Sequence, residues 1–360
     1  MLLCSFLLDP RVRVALLSVF FFPGLAPAQT EYKLLPSNAS DNAQAGWSVA
    51  LSGDVAIVGA PGDSEAVFGG GSAYVYRFDG TAWTQEQKLT TDAEILERFG
   101  YSVAVSGNIA VVGMPYDSDG GAASGSVFVY RFDGTSWVEE QKLTASDGGA
   151  GDLLGWSVAT TGDFVVATAG VNDDSDSEDG AAYVFRYDGA GWVEEQKLEP
   201  GELDSDDGDF FGWSVAASGD AVIVGAPGEK VDGFGSGSAY VYRYGGGAWA
   251  EEQRIDAGYI GAQFGWAVSI SGDVAVVGAR FDIDPTDPSA FLGSAYVFRR
   301  DGGVWVEEDQ FTVPAGEGNV GLSVAVSSDL AVTAGGRDNV FAYRYENGAW
   351  SSAQELTASD

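Results

Sequence analysis

The sequence predicts an all-β protein, a β-propeller of four-stranded antiparallel blades, and two observations support this prediction. A pattern of the type Phe-Gly-x-Ser-Val-Ala occurs six times in 360 residues, with repeats starting near positions 46, 99, 154, 211, 264 and 320. The shared glycines are 53 to 57 residues apart, a period that suits propeller blades. Each copy also contains four strand-like runs separated by turn residues.

The first two runs of each copy are built from small and β-branched residues. In the second copy, the runs at 102–105 and 109–113 carry no charge, and only three residues lie between them. So short a turn predicts a tight hairpin. Uncharged runs of this kind suit strands that are covered on both faces.

The third and fourth runs of each copy are aromatic and then charged. The run at 126–132 places Phe128, Tyr130 and Phe132 on one side of a strand, and Asp133-Gly134 predicts the next hairpin. The run at 137–143 carries Glu and Lys, which block pairing with other molecules at an outer edge. This grading predicts a blade that runs from the central channel outward.

The motifs Phe211-Gly212 and Gly225-Ala226-Pro227 resemble the FG-GAP repeats of the integrin α-subunit propeller and of many secreted bacterial proteins. The resemblance covers residues 31–360 and implies a scaffold of the kind used in cell adhesion. Integrins bind calcium in a long Asp-rich loop between the first and second strands of certain blades. That loop is only three residues here, as at 52–54, and no Arg-Gly-Asp tripeptide occurs. The integrin calcium sites are therefore not carried over.

The strand count leaves two possible blade numbers. Six repeats supply 24 strands, and residues 31–34 resemble the ends of later repeats such as 140–143, which adds one more. Either this segment competes with 350–356 for one edge of a six-bladed ring, or it belongs to an incomplete seventh blade. We predict a six-bladed propeller over 29–360, with the seven-bladed ring as the alternative.

Residues 1–28 predict a secretory signal peptide. Arg11 and Arg13 precede an apolar run at 14–25, and Ala26-Pro27-Ala28 offers the small residues that precede a cleavage site. The run is shorter than the roughly 20 residues that span a bilayer. We therefore expect a secreted or cell-surface protein with no membrane span in the mature chain. Cys4, the only cysteine, would leave with the signal.

The net charge of −35 disfavours nucleic acids and anionic lipids as partners and leaves cations and basic or neutral ligands. The acids gather in the long second-to-third and fourth-to-first loops. Because strands alternate in direction, these loops share one face of the disc, where variable loops typically carry function. Calcium is a possible ligand of that face, and the alternative is a solvated acidic loop. The candidate calcium ligands are Asp174, Asp176, Glu178, Asp204, Asp206 and Asp209.

The composition restricts the possible chemistry. The chain has no histidine, which excludes His-dependent triads and His-ligated zinc, and paired carboxylates remain the common catalytic device. All ten tryptophans and six of the arginines recur at fixed repeat positions, so we interpret the tryptophans as packing residues and expect the arginines to pair with acidic groups of a neighbouring strand or blade. These are Trp47, Trp83, Trp137, Trp156, Trp192, Trp213, Trp249, Trp266, Trp305 and Trp350, with Arg77, Arg131, Arg186, Arg243, Arg299 and Arg344.

Two function hypotheses follow. The first is a secreted, non-catalytic propeller that binds an extracellular protein or glycan through its acidic loop face, with no catalytic residue and no certain cofactor. The alternative is a carboxylate-dependent, glycosidase-like hydrolase with its site at the central channel. The two hypotheses differ in whether carboxylates of different blades converge in one pocket.

Overall fold

The structure is a computed structural model that describes residues 32–65, 67–170, 180–201, 208–231, 234–256, 261–284, 287–312, 320–335, 340–351 and 353–356. The predicted signal peptide lies outside these residues. The described part of the chain contains strands and turns but no helix. Accordingly, it shows no helical segment long and apolar enough to cross a membrane.

Six four-stranded sheets form the blades, and each is built from consecutive strands. Blades one and two consist of β1 (Ser48–Ser52), β2 (Val55–Ala60), β3 (Ser72–Phe78), β4 (Trp83–Leu89), β5 (Ser102–Ser106), β6 (Ile109–Met114), β7 (Ser126–Phe132) and β8 (Trp137–Leu143). Blades three and four contain β9 (Leu154–Thr160), β10 (Phe164–Ala169), β11 (Ala181–Tyr187), β12 (Trp192–Leu198), β13 (Ser214–Ser218), β14 (Ala221–Ala226), β17 (Ser238–Gly245) and β18 (Ala248–Ile255).

Blades five and six contain β19 (Phe264–Ser271), β20 (Val274–Ala279), β23 (Ser294–Asp301), β24 (Val304–Phe311), β25 (Ser323–Ser327), β26 (Leu330–Ala334), β27 (Val340–Glu346), β28 (Ala349–Trp350) and β29 (Gln354–Leu356). The last two are separate segments of one outer strand, because both pair with β27. Two short hairpins extend the second-to-third loops of blades four and five, namely β15 (Lys230–Val231) with β16 (Phe234–Gly235) and β21 (Ile283–Asp284) with β22 (Asp287–Phe291).

The sheet order confirms the predicted six-bladed propeller. Every blade is an antiparallel meander of four strands in sequence order. The innermost strands of blades one to six contact one another in succession, from β1 against β5 to β19 against β25. Blade six has its own outer strand, so residues 32–34 do not replace it. Leu34 belongs instead to a buried cluster that includes Val58 and Tyr74 of blade one.

The hydrophobic core lies between the blades. One buried cluster joins blades one and two, and the others join each following pair up to blades five and six. A single sheet cannot hide both of its apolar faces, so each blade depends on its neighbours for burial. Phe99, Phe211 and Phe264, the phenylalanines of the repeat motif, are fully buried in these layers.

The two motif glycines meet across the blade boundaries. A Cβ atom added to Gly225 of blade four would lie 2.0 Å from the carbonyl oxygen of Gly265 in blade five. Gly265 has a φ of 90° and is itself backed by the Ser238 carbonyl oxygen, 2.2 Å from its ideal Cβ position. The Ser214 hydroxyl donates to the same Gly265 oxygen at 2.9 Å. The contact recurs at Gly59 with Gly100, Gly113 with Gly155, and Gly278 with Gly321.

The outer strands are joined by a second repeated contact. In β8 a bulge leaves Glu140 out of the pairing register, since Val129 pairs with Gln141 and Tyr130 with Glu139. The freed carboxylate accepts from Arg131 Nε at 2.8 Å and from the indole Nε1 of Trp192 in the next blade at 2.9 Å. Bulges typically re-aim a side chain in this way. The other members of this contact are Glu86, Glu195, Glu252 and Glu308.

We expect Gly225→Ala to destabilise the protein by about 2 to 3 kcal/mol, because the new methyl group would overlap a backbone carbonyl that cannot move without shifting a blade. Guanidinium denaturation measures the change in the free energy of unfolding. Gly245→Ala is the matched control in the same blade, since no atom lies within 4 Å of its added Cβ. Equal stability of the two variants would contradict the glycine contact.

The stability contributed by Glu252 should depend on pH. Burial opposes its ionisation, but hydrogen bonds from Arg300, Arg243 and Trp305 outweigh burial and lower its pKa from 4.5 to about 2. A lowered folded-state pKa stabilises the fold above pH 4.5, and this contribution is lost as the pH falls towards 2.

The melting temperature of the wild type should therefore exceed that of Glu252→Gln most near neutral pH, and the difference should shrink as the pH falls from 4.5 to 2. Calorimetric melts over this range measure it, with Glu355→Gln at an exposed carboxylate as the control. A difference that stays constant with pH would show that the Glu252 carboxylate is not the stabilising group.

Candidate functional site

The described part of the long-loop face carries a row of aromatic rings. Each ring follows the motif glycine, at the start of an innermost strand, and so stands at the mouth of the central channel on the side of the long loops. All of them keep part of their surface exposed. We call this row the aromatic arc, and its members are Trp47, Tyr101, Trp156, Trp213 and Trp266.

The rings of the aromatic arc contact one another from blade to blade. The centroid distances are 5.4 Å from Trp47 to Tyr101, 4.9 Å from Tyr101 to Trp156, 5.2 Å from Trp156 to Trp213 and 4.5 Å from Trp213 to Trp266. Successive ring planes are tilted by 41° to 52°. The arc is therefore a curved wall around the channel mouth. Blade six has Leu322 at the same position.

Two arginines of the chain already stack on this aromatic system. The guanidinium carbon of Arg280 lies 3.3 Å from the ring centroid of Trp266. The guanidinium carbon of Arg98 lies 4.9 Å from the ring of Tyr116, which in turn contacts Tyr101 at 6.3 Å. Electron-rich ring faces attract cations electrostatically. The arc thus belongs to a surface that holds guanidinium groups.

Beneath the loops, four blades bury one acid at the third residue after the second strand. In blade one, Asp63 accepts from Tyr74 Oη at 2.6 Å and lies 2.9 Å from Lys88 Nζ. Burial opposes ionisation of Asp63, but hydrogen bonds from Ser72, Tyr74 and Lys88 hold its pKa well below its usual range. The same hydrogen bond helps raise the pKa of Tyr74 to about 12, after burial as the largest cause.

The other three blades vary the partner of this acid. Asp117 pairs with Lys142 and the Ser126 hydroxyl. Glu229 pairs with Arg254 at 3.0 Å and accepts from Tyr240 Oη at 2.7 Å. Asp282 accepts from Tyr296 Oη at 2.6 Å and from Gln310 Nε2 at 3.0 Å. These acids anchor the loop bases to the third and fourth strands of their own blades.

Most of the predicted calcium ligands lie outside the described residues. They are Asp174, Asp176, Glu178, Asp204 and Asp206. Asp209 is described, and it is buried at the blade three and four boundary, where its carbonyl oxygen accepts from Gly228 N. Among the described residues, no group of three or more acidic side chains is arranged to hold a metal ion. Calcium binding at the six acids stays a prediction.

The sequence-based interpretation of tryptophan as packing covers only part of what the structure shows. The outer-strand tryptophans, such as Trp192 and Trp249, are buried and hydrogen-bonded. The arc tryptophans pack on each other and also remain partly exposed. The signal that could have found the arc is the aromatic residue after the motif glycine in five of the six copies. The predicted pairing of the third-strand arginines with acids is confirmed.

Comparison with known protein families agrees with the repeat pattern. The family model described as "FG-GAP repeat" matches residues 29–76, 83–130, 137–185, 192–242 and 249–298. Each of the last four matches joins the fourth strand of one blade to the first three strands of the following blade, so it spans one of the boundaries described above. A search of curated proteins found no significant match. Because the matches cover more than half of the sequence, the chain belongs to the FG-GAP repeat family.

Proposed function

We propose that this protein is an exported, non-catalytic propeller that binds a protein ligand at its long-loop face. The observation that carries the proposal is the aromatic arc, five contiguous and partly exposed rings at the channel mouth. Contiguous exposed aromatic surface is typical of binding sites rather than of ordinary protein surface. The secretory pattern of residues 1–28 supports an extracellular or cell-surface location.

Charge favours a ligand with basic side chains. The chain carries 53 acidic and 18 basic residues, so a positively charged segment is attracted to it over long range. At contact, a Lys or Arg side chain can lie against the arc as Arg280 lies against Trp266. Long-range attraction to the acidic protein and cation–π contact at the arc therefore both favour a ligand with Lys or Arg side chains.

The arc geometry favours a protein over a glycan. Sugar chains stack best on flat, exposed ring faces, whereas neighbouring rings here are tilted by 41° to 52° and partly cover one another. A curved row of rings around the channel mouth suits a single ligand side chain that enters the channel from the long-loop face. The carboxylates of the loop face can then pair with the basic group.

The hydrolase alternative receives less support from the described acids. The four acids buried beneath the loops are each bound within their own blade, to hydroxyls and to Lys, Arg or Gln side chains. Burial raises the pKa of Glu229, as a general acid requires, but Tyr240 and Arg254 occupy its carboxylate oxygens. We therefore place no catalytic residue among them.

The proposal predicts that small arginine peptides bind at the arc. Indole N–H signals in nitrogen-resolved NMR spectra should shift when the protein is titrated with acetyl-Gly-Arg-Gly-amide. The matched citrulline peptide has the same shape without the charge and should bind about fivefold more weakly, as expected for loss of a cation–π contact. High salt should weaken the arginine peptide selectively.

The variant Trp213→Leu tests whether the arc is the site. Leucine already stands at this position in blade six, as Leu322, so the fold should tolerate it. Binding of the arginine peptide should weaken severalfold in this variant and stay unchanged in Val193→Ala, which removes an exposed apolar side chain from an outer strand. Equal binding of the arginine and citrulline peptides, or no effect of Trp213→Leu, would refute the proposed site.

A further inference from the structure

The long-loop face also carries an exposed apolar patch that the repeat does not explain. Phe68 lies in the second-to-third loop of blade one, and Ile95 and Leu96 lie in the loop that leads to blade two. Their relative exposures are 69%, 68% and 48%, and the first two are the highest among the large apolar residues of the described chain. We call these three residues the apolar patch.

The backbone holds the two loops of the patch together. Leu96 N donates to the carbonyl oxygen of Phe68 at 3.0 Å, and Arg98 N donates to that of Gly69 at 3.1 Å. An added Cβ at Gly69 would lie 2.7 Å from Leu96 Cδ2, so the leucine side chain lies directly over this glycine. The patch is therefore a surface of defined backbone structure at the boundary between blades one and two.

The next blade boundary shows what the repeat itself requires. The same backbone hydrogen bonds run there from Gly151 N to the Ala122 oxygen and from Leu153 N to the Ala123 oxygen. In this register Ala122 corresponds to Phe68, Ala150 to Ile95 and Gly151 to Leu96. The fold thus forms the same boundary with a methyl group or no side chain at each position of the patch.

Local backbone conformation argues against a structural role for Leu96. Its φ is 67°, in the left-handed region that favours glycine, and Gly151 has the corresponding φ of 97°. A leucine in this conformation, half exposed to water, benefits neither the backbone nor the core. Strained residues cluster at functional sites such as ligand clamps, and exposed apolar patches mark interaction sites.

We infer that the apolar patch is a second contact for the protein ligand and binds a segment with apolar side chains flanked by Lys or Arg. This inference deepens the proposed function and rests on it. Charge complementarity supports the basic flanks, because the exposed acids Asp92 and Glu94 border Ile95. A second copy of this chain would bring the same acids and the same net charge of −35, which disfavours self-association.

The patch is continuous with the aromatic arc. Arg98 follows the patch by two residues and stacks on Tyr116, whose ring contacts Tyr101 of the arc. A single extended segment can therefore place a basic side chain at the channel mouth and apolar side chains on the patch. Binding at two linked contacts raises affinity above that of either contact alone.

A random peptide library displayed on phage provides the test, with the protein immobilised as residues 29–360. The patch variant Phe68→Ala, Ile95→Ala, Leu96→Gly copies the residues of the next boundary and should fold normally. Peptides enriched on the wild type and depleted on this variant should combine large apolar residues with Lys or Arg. Their affinity should fall at least tenfold on the patch variant.

Two controls separate this inference from the proposed function. Val193→Ala and Val306→Ala truncate apolar side chains of outer strands that are about as exposed as Leu96, and they should leave peptide binding unchanged. The patch variant should bind the arginine peptide at the arc as tightly as the wild type, while Trp213→Leu should bind it severalfold more weakly. Failure of the arginine peptide alone would refute the arc as the site and leave the patch test intact.

Three outcomes would overturn the inference. One is a library that yields no peptide able to distinguish the wild type from the patch variant. Another is enrichment of acidic or purely polar sequences. The third is concentration-dependent dimerisation in analytical ultracentrifugation that the patch variant abolishes, since this would assign the surface to a second copy of the chain.

Discussion

The fold depends on the close approach of two backbones at four blade boundaries, namely those that follow blades one, two, four and five. A glycine at the end of one blade's second strand meets the carbonyl of the glycine that precedes the next blade's first strand, leaving no room for a Cβ atom. This contact fixes the distance between neighbouring sheets near the axis, where the circumference is smallest. The apolar side chains between the sheets then fill a gap whose width is already set. At these four boundaries the contact leaves no room for a side chain, whereas the boundary between blades three and four has Thr168 in place of the second-strand glycine.

The periphery needs a different device, because the blades diverge outward. There the bulged glutamate of one outer strand reaches the indole of the next, and it is neutralised by an arginine of its own blade. Neighbouring blades are therefore held together by backbone packing near the axis and by charged hydrogen bonds at the outer edge. In blade six Ala353 stands where the other outer strands have glutamate, and the strand is interrupted there between β28 and β29.

Sequence alone was sufficient to predict the blades, because strand alternation, short turns and a regular period all point to one architecture. The pairing of arginine with acid was also predictable from its fixed position. The bulge at Glu140 could not be predicted from the sequence. It depends on a one-residue shift in strand pairing, and a run of charged residues gives no sign of where such a shift occurs. The aromatic arc was missed for a related reason. Trp156 and its equivalents occur at one fixed repeat position, which favours an interpretation as buried packing residues. Equivalent positions around a channel, however, lie side by side and form one continuous surface.

The aromatic arc and the apolar patch, the two surfaces that we propose bind the ligand, differ in their relation to the repeat. The arc uses positions that every blade shares, so its rings are placed by the same backbone geometry that builds the fold. The patch departs from the repeat at three positions where the fold accepts alanine or glycine. Since the scaffold draws its stability from the blade boundaries, the loop tips above them can change without loss of the core. The tips of the long loops are thus less constrained by folding than the blade boundaries beneath them, which supports our proposal that the exposed apolar side chains there contact a ligand.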